Sequence, residues 1–148
     1  MSITIEGNNG DDVIYGSSGF GDVISGGDGD DFIDGREGDG RLNTGDDGND
    51  SIYGQDGDDE NLRKRWGTIF FVGLAGDDVI DGGDGADTLN GGDGDDVVSG
   101  GDHSDVIQGK RRQKTRSKGE SGADTIRGGR PGNDSVRGGG AADRIEGG

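Results

Sequence analysis

Aspartate, glycine and an aliphatic residue recur at fixed spacing along this chain, and the aspartates are where its chemistry lies. Residues 73–109 write one nine-residue unit four times without a break: GLAGDDVID, GGDGADTLN, GGDGDDVVS and GGDHSDVIQ. Glycine holds the first place and usually the fourth, aspartate the sixth (Asp78, Asp87, Asp96, Asp105) and an aliphatic residue the eighth (Ile80, Leu89, Val98, Ile107). Carboxylates and backbone carbonyls in glycine-rich turns are oxygen donors only, the ligand set of a hard cation. The chain has no cysteine and a single histidine, so a soft-metal site has no ligands. That histidine, His103, stands where glycine is usual and reads as a tolerated turn residue. Paired carboxylates such as Asp30 and Asp31 are plentiful, but acid/base hydrolysis needs a cleft that holds two carboxyl pKa values apart, which a thin stack of short strands does not supply. No HExxH or GxSxG arrangement is present. The expectation is a protein without catalytic residues.

The elements that position these aspartates follow from the same unit. Glycines at the first, second and fourth places allow a tight turn with carbonyl oxygens aimed inward. Stretches such as Asp78, Val79 and Ile80 are too short for a helix, and their β-branched residues favour an extended segment. One aliphatic side chain per unit cannot close a core alone. Stacking many units does, with strands about 4.8 Å apart and the eighth-position side chains forming an apolar ladder.

Residues 26–34 (GGDGDDFID) and 91–99 (GGDGDDVVS) match G-G-x-G-x-D-x-U-x at every defined place, U being a large aliphatic or aromatic residue. The chain thereby resembles the calcium-binding repeats-in-toxin (RTX) proteins, with roughly thirteen units in a self-similar array. The resemblance implies an all-β fold, a right-handed parallel β-roll (β-solenoid) in which two consecutive units make one turn and calcium lies between stacked turns at each edge. It implies several Ca2+ ions held by Asp12, Asp22, Asp31, Asp50, Asp59, Asp78, Asp87, Asp96, Asp105, Asp124, Asp134 and Asp143. Turn carbonyls complete the shell, represented by Gly26, Gly29, Gly82, Gly85, Gly91 and Gly94. On this arrangement Asp78 faces Asp96 and Asp87 faces Asp105.

Composition agrees with a fold that depends on its ligand. Of 148 residues 37 are glycine and only 24% are hydrophobic, while 32 acidic against 15 basic residues leave a net charge of −17. Low hydrophobicity with high charge is the signature of a disordered chain, which is the expectation without calcium. About eight to ten Ca2+ ions would bring the net charge near zero, making metal binding a source of folding free energy. The longest apolar run, 69–72, is far too short to span a membrane, and residues 1–7 lack the basic start and apolar segment of a signal peptide.

In chain order, Ile5 falls two residues before Gly7, where an eighth position would be, and reads as an opening strand. Units begin at Gly7, Gly16, Gly26, Gly35, Gly45 and Gly54, with Phe20 and Thr44 as single-residue insertions. The unit at Gly35 has Gly40 where aspartate belongs, with Asp39 as a poor substitute, so a weak or vacant site is expected there. The chain therefore reads as one domain, 1–148, with repeats at 7–62, 73–109 and 119–148 and loop insertions at 63–72 and 110–118. The first insert carries Trp66, Phe70 and Phe71 and reads as a flap over the roll surface. The second, KRRQKTRSK, is a basic loop that offers at most a weak polyanion contact; specific nucleic-acid binding is not expected. Without the second insert, the strands around Ile107 and Ile126 read as consecutive. The array stops at Gly147 and Gly148, where another unit would begin, and the ending reads as a cut.

The functional expectation is a monomeric, calcium-binding module of a secreted, extracellular bacterial protein, disordered where calcium is scarce and folded where it is abundant. The alternatives are the repeat region of a larger secreted metalloprotease or lipase, or of an adhesin or surface-layer array.

Overall fold

The computed structural model describes residues 1–38, 42–61, 67–109, 116–128 and 135–146, and its regular elements are all strands. The first eight are β1 (Thr4–Asn9), β2 (Val13–Tyr15), β3 (Val23–Asp28), β4 (Phe32–Asp34), β5 (Leu42–Asp47), β6 (Asp50–Tyr53), β7 (Glu60–Asn61) and β8 (Ile69–Ala75). The rest are β9 (Val79–Asp84), β10 (Thr88–Asp93), β11 (Val97–Asp102), β12 (Val106–Gln108), β13 (Arg116–Ser121), β14 (Thr125–Arg127), β15 (Ser135–Gly139) and β16 (Arg144–Glu146). Odd-numbered strands form one eight-stranded sheet and even-numbered strands another, each in chain order. Every pairing is parallel and joins strand n to strand n+2, as in β9 to β11 and β10 to β12. The chain therefore alternates between two sheets and advances one strand separation per two units, which is the parallel β-roll expected. No helix among the described residues is long and apolar enough to cross a membrane.

Inward side chains build the core in register. On the even sheet Ile14, Ile33, Ile52, Phe71, Leu89, Ile107 and Ile126 stand in line and are buried. Ile24, Ile80 and Val98 do the same on the odd sheet, with Ile5 and Val136 packed against the cluster. Each such burial contributes about 2 kcal/mol. Two places on the odd sheet break the apolar rule: Asn61, which is 0% exposed, and Ser117, at 3%. The Asn61 amide and the Ser117 hydroxyl have no hydrogen-bond partner.

Both proposed insertions need correction. Phe71 does not belong to a flap: β8 pairs with β6 and β10, and Phe71 lies in line between Ile52 and Leu89 with no exposure. Phe70 points outward, 41% exposed, at the end of a row of rings formed with Tyr15, Phe32 and Tyr53 at centroid separations of 6.1, 5.4 and 6.0 Å. Trp66 lies outside the described residues. In the second insert, residues 116–118 are strand rather than loop, since β13 pairs with β11 and β15 and Ser117 stands between Val98 and Val136. Ile107 and Ile126 are consequently side by side in one sheet, with β13 between them in the chain, and are not consecutive half-turns. Removing 110–118 would delete the first half of β13. Thr44 is likewise no insertion: it lies within β5 opposite Ser25. The sixteen strands exceed the roughly thirteen units by β1 and the two strands that the inserts supply.

Candidate metal centre

Turns between the sheets bring the sixth-position aspartates into two columns, one along each edge of the roll. Within a column the backbone N–H of each aspartate donates to the Oδ1 of its counterpart 18 or 19 residues later. Along one edge Asp12 donates to Asp31 (2.8 Å), Asp31 to Asp50 (2.9 Å), Asp87 to Asp105 (3.0 Å), Asp105 to Asp124 (3.0 Å) and Asp124 to Asp143 (3.1 Å). Along the other, Asp59 donates to Asp78 (3.0 Å) and Asp78 to Asp96 (3.2 Å). Asp78 thus faces Asp96, and Asp87 faces Asp105, as the spacing predicts. The fifth positions form a further row on each edge, running the opposite way: the Asp30 N–H donates back to the Asp11 carboxylate on one edge and the Asp77 N–H to the Asp58 carboxylate on the other. These aspartates recur in phase in the sequence, each just before a sixth-position aspartate, but the spacing does not tell their backward bonds from the forward bonds of the sixth.

One carboxylate oxygen of each pair is left over, and it is buried. The Oδ2 atoms of Asp12, Asp31, Asp78, Asp96, Asp105 and Asp124 have no hydrogen-bond partner. Each lies over the first glycine of its own unit, and the space a Cβ would take there is filled by oxygen. At Gly73 that space is bounded by Asp78 Oδ2 and the Gly91 carbonyl of the next turn; at Gly26, by Asp31 Oδ2 and the Gly45 carbonyl. Gly82 repeats this with Asp87 Oδ2 and the Gly100 carbonyl, and at Gly91 the Asp96 carboxylate does the same. At the fourth position Gly29 and Gly85 hold φ of 135° and 139°, a region side chains disfavour. A Cβ at Gly94 would meet the Gly76 carbonyl.

Burial of these carboxylates raises the cost of ionising them. Burial pushes the Asp78 carboxyl up to about 8, and the nearby Asp59 and Asp96 charges add to it. Burial likewise raises Asp105 to about 7 and Asp96 to about 6, and Asp31 is raised for the same reason. Such a cradle suits a cation with oxygen ligands: one carboxylate per turn plus main-chain carbonyls. Among the described residues no three acidic or histidine side chains form a metal-holding group, so the backbone must supply much of any coordination shell.

Several expected positions do not join a column in this way. Asp22 accepts hydrogen bonds from the Ser17 N–H and hydroxyl and from the Ile3 N–H; although burial opposes it, these bonds hold its carboxyl below the ordinary value. Asp134, Asp39 and Gly40 lie outside the described residues. Between Asp50 and Asp87 the sixth position is Ile69, 2% exposed, so Asp50 N–H bonds the Thr68 carbonyl and Ile69 N–H bonds Asp87 Oδ1. Counting two residues back from Phe71 in the sequence finds Ile69. Of the basic insert, Arg116 and Lys118 are exposed on β13, with Lys118 paired to Glu120 at 2.7 Å.

The family model of the RTX calcium-binding nonapeptide repeat (4 copies) matches residues 4–21, 20–42, 44–60, 70–98, 82–111 and 118–148, which together span most of the chain. No curated protein matches it.

Proposed function

The chain belongs to the RTX calcium-binding nonapeptide repeat family and is a calcium-binding repeat module, and on that premise we propose that it folds on binding Ca2+ as part of a secreted, extracellular bacterial protein. The observation that carries this reading is the row of buried, partnerless Oδ2 atoms over first-position glycines. Asp12, Asp31 and Asp50, Asp59, Asp78 and Asp96, and Asp87, Asp105, Asp124 and Asp143 would hold the ions between turns. Carbonyls of turn glycines such as Gly45, Gly91 and Gly100 would complete the shells. Bound calcium supplies positive charge to carboxylates that otherwise repel one another. Seven intervals are flanked by aspartates whose N–H-to-Oδ1 bonds link the two turns, five on one edge and two on the other. The role is binding and folding rather than catalysis.

Circular dichroism of the chelator-treated protein, titrated with Ca2+ and separately with Mg2+, tests this. A largely disordered spectrum should gain β-structure with Ca2+ and not with equimolar Mg2+, whose small octahedral shell a wide carbonyl-lined turn supplies poorly. A β spectrum unchanged by the chelator would refute it.

A further inference from the structure

We infer that the array is two calcium-binding blocks meeting at one weak junction, so that calcium folds them in separate steps; this rests on the calcium reading above. The junction is the interface of β5 and β6 with β7 and β8. On one edge it falls at Ile69, whose buried side chain occupies the sixth position and deprives the intervals on both of its sides of a carboxylate. On the other edge the described N–H-to-Oδ1 bonds between aspartates begin at Asp59.

The core is also weakest at this interface. The odd-sheet ladder passes through Asn61, whose amide is wholly buried with neither its Nδ2 nor its Oδ1 partnered. An unsatisfied buried amide opposes closure of the interface that buries it. On the even sheet β6 and β8 share four register pairs, and the Tyr53 and Phe70 rings lie 6.0 Å apart. The junction is therefore packed without fault along the even sheet and carries an unsatisfied amide along the odd one.

Aspartate-flanked intervals are unequally shared across it. Among the described residues, the block before the junction has two, Asp12 to Asp31 and Asp31 to Asp50. The block after it has five, on both edges. A larger number of linked ions makes folding steeper in calcium and moves it to lower concentration, so the second block folds before the first as calcium rises.

Amide hydrogen exchange read by mass spectrometry across a calcium titration of the full chain tests this. Residues 73–109 should become protected at a lower calcium midpoint than residues 3–38. Asp31→Asn should raise the midpoint of the first block about tenfold or abolish its protection, leaving the second block within about twofold of the unsubstituted chain; Asp105→Asn should do the reverse. A common midpoint, with either substitution shifting both segments equally, would overturn the two-block inference while leaving the calcium reading intact. Absence of any calcium-dependent protection would overturn both.

Discussion

Replacing Gly91 by alanine adds one methyl group at a place where the unit's geometry leaves no room. A Cβ there would overlap Asp96 Oδ2 and lie 2.7 and 3.0 Å from the Asp96 carboxyl carbon and Cβ. Its φ is not in the left-handed region, so backbone strain plays no part, and alanine in an extended strand ordinarily gains about 0.5–1 kcal/mol over glycine. Against that gain stands the displacement of a buried, tightly held side chain, about 1–3 kcal/mol. The net expectation is a loss of about 1–2 kcal/mol, or about a five- to thirtyfold smaller folding constant. Urea unfolding at saturating calcium reads this directly. The calcium midpoint moves less, because several ions share one transition. Gly140→Ala is the control: the nearest atom to its Cβ is the Glu120 carbonyl at 3.7 Å, so it should be neutral or slightly stabilising. Equal stability of the Gly91→Ala and unsubstituted chains would refute the claim that first-position glycines exist to admit the carboxylate.

Two further outcomes follow from the buried polar groups. Asp78, Asp105 and Asp96 titrate near 8, 7 and 6 in the ion-free fold, against about 3.9 when unfolded. The ion-free fold therefore binds more protons than the unfolded chain between about pH 4 and 8, and its stability falls as pH rises through that window. Because the calcium-free chain is disordered and its carboxylates are already ionised above about pH 5, the calcium midpoint by circular dichroism should stay nearly constant from about pH 6 to 8 and rise only below about pH 5; a midpoint that fell steadily from about pH 5 to 8 would show that a protonated fold, not a disordered chain, is the calcium-free state. Ser117→Val removes a buried, partnerless hydroxyl and places a third valine between Val98 and Val136. It should stabilise the calcium-bound fold by about 1–2 kcal/mol, seen as a higher urea midpoint, and an unchanged or lower midpoint would count against the half-turn assigned to β13.

Much of this is legible in the sequence because two residues separate the eighth position from the next unit's first glycine. That offset places Ile5 from Gly7, and counting back from Gly73 and Gly119 in the same way arrives at Phe71 and Ser117. What hides those two is composition. The roll requires an inward side chain at the right offset, but not the glycine and aspartate around it, so an aromatic or basic stretch can form a half-turn while reading as an interruption. Ser117 is harder still, since a hydroxyl in an apolar ladder contradicts the pattern that would find it. Asp22 fits the pattern and yet is held by Ser17, a contact that depends on the turn closing back on itself and that no spacing rule contains.

The sixth and eighth positions are two apart, so a strand entered at one and continued through the other aims both side chains inward. The stacking that buries isoleucine on isoleucine must therefore also stack aspartate near aspartate. At about 4.8 Å and an effective dielectric of about 20, each neighbouring pair of carboxylates repels by about 3.5 kcal/mol, which exceeds the roughly 2 kcal/mol that each aliphatic rung returns. The ladder cannot close on its apolar side while its charged side stays ionised and bare. Protons relieve the charge, as the raised Asp78 and Asp105 show, and a divalent cation would do so at neutral pH without protonating the carboxylates. Ile69 removes the charge altogether. It keeps the register and closes the column without needing an ion, but a turn built that way no longer ties its neighbours together through shared calcium, and the array is free to respond in parts.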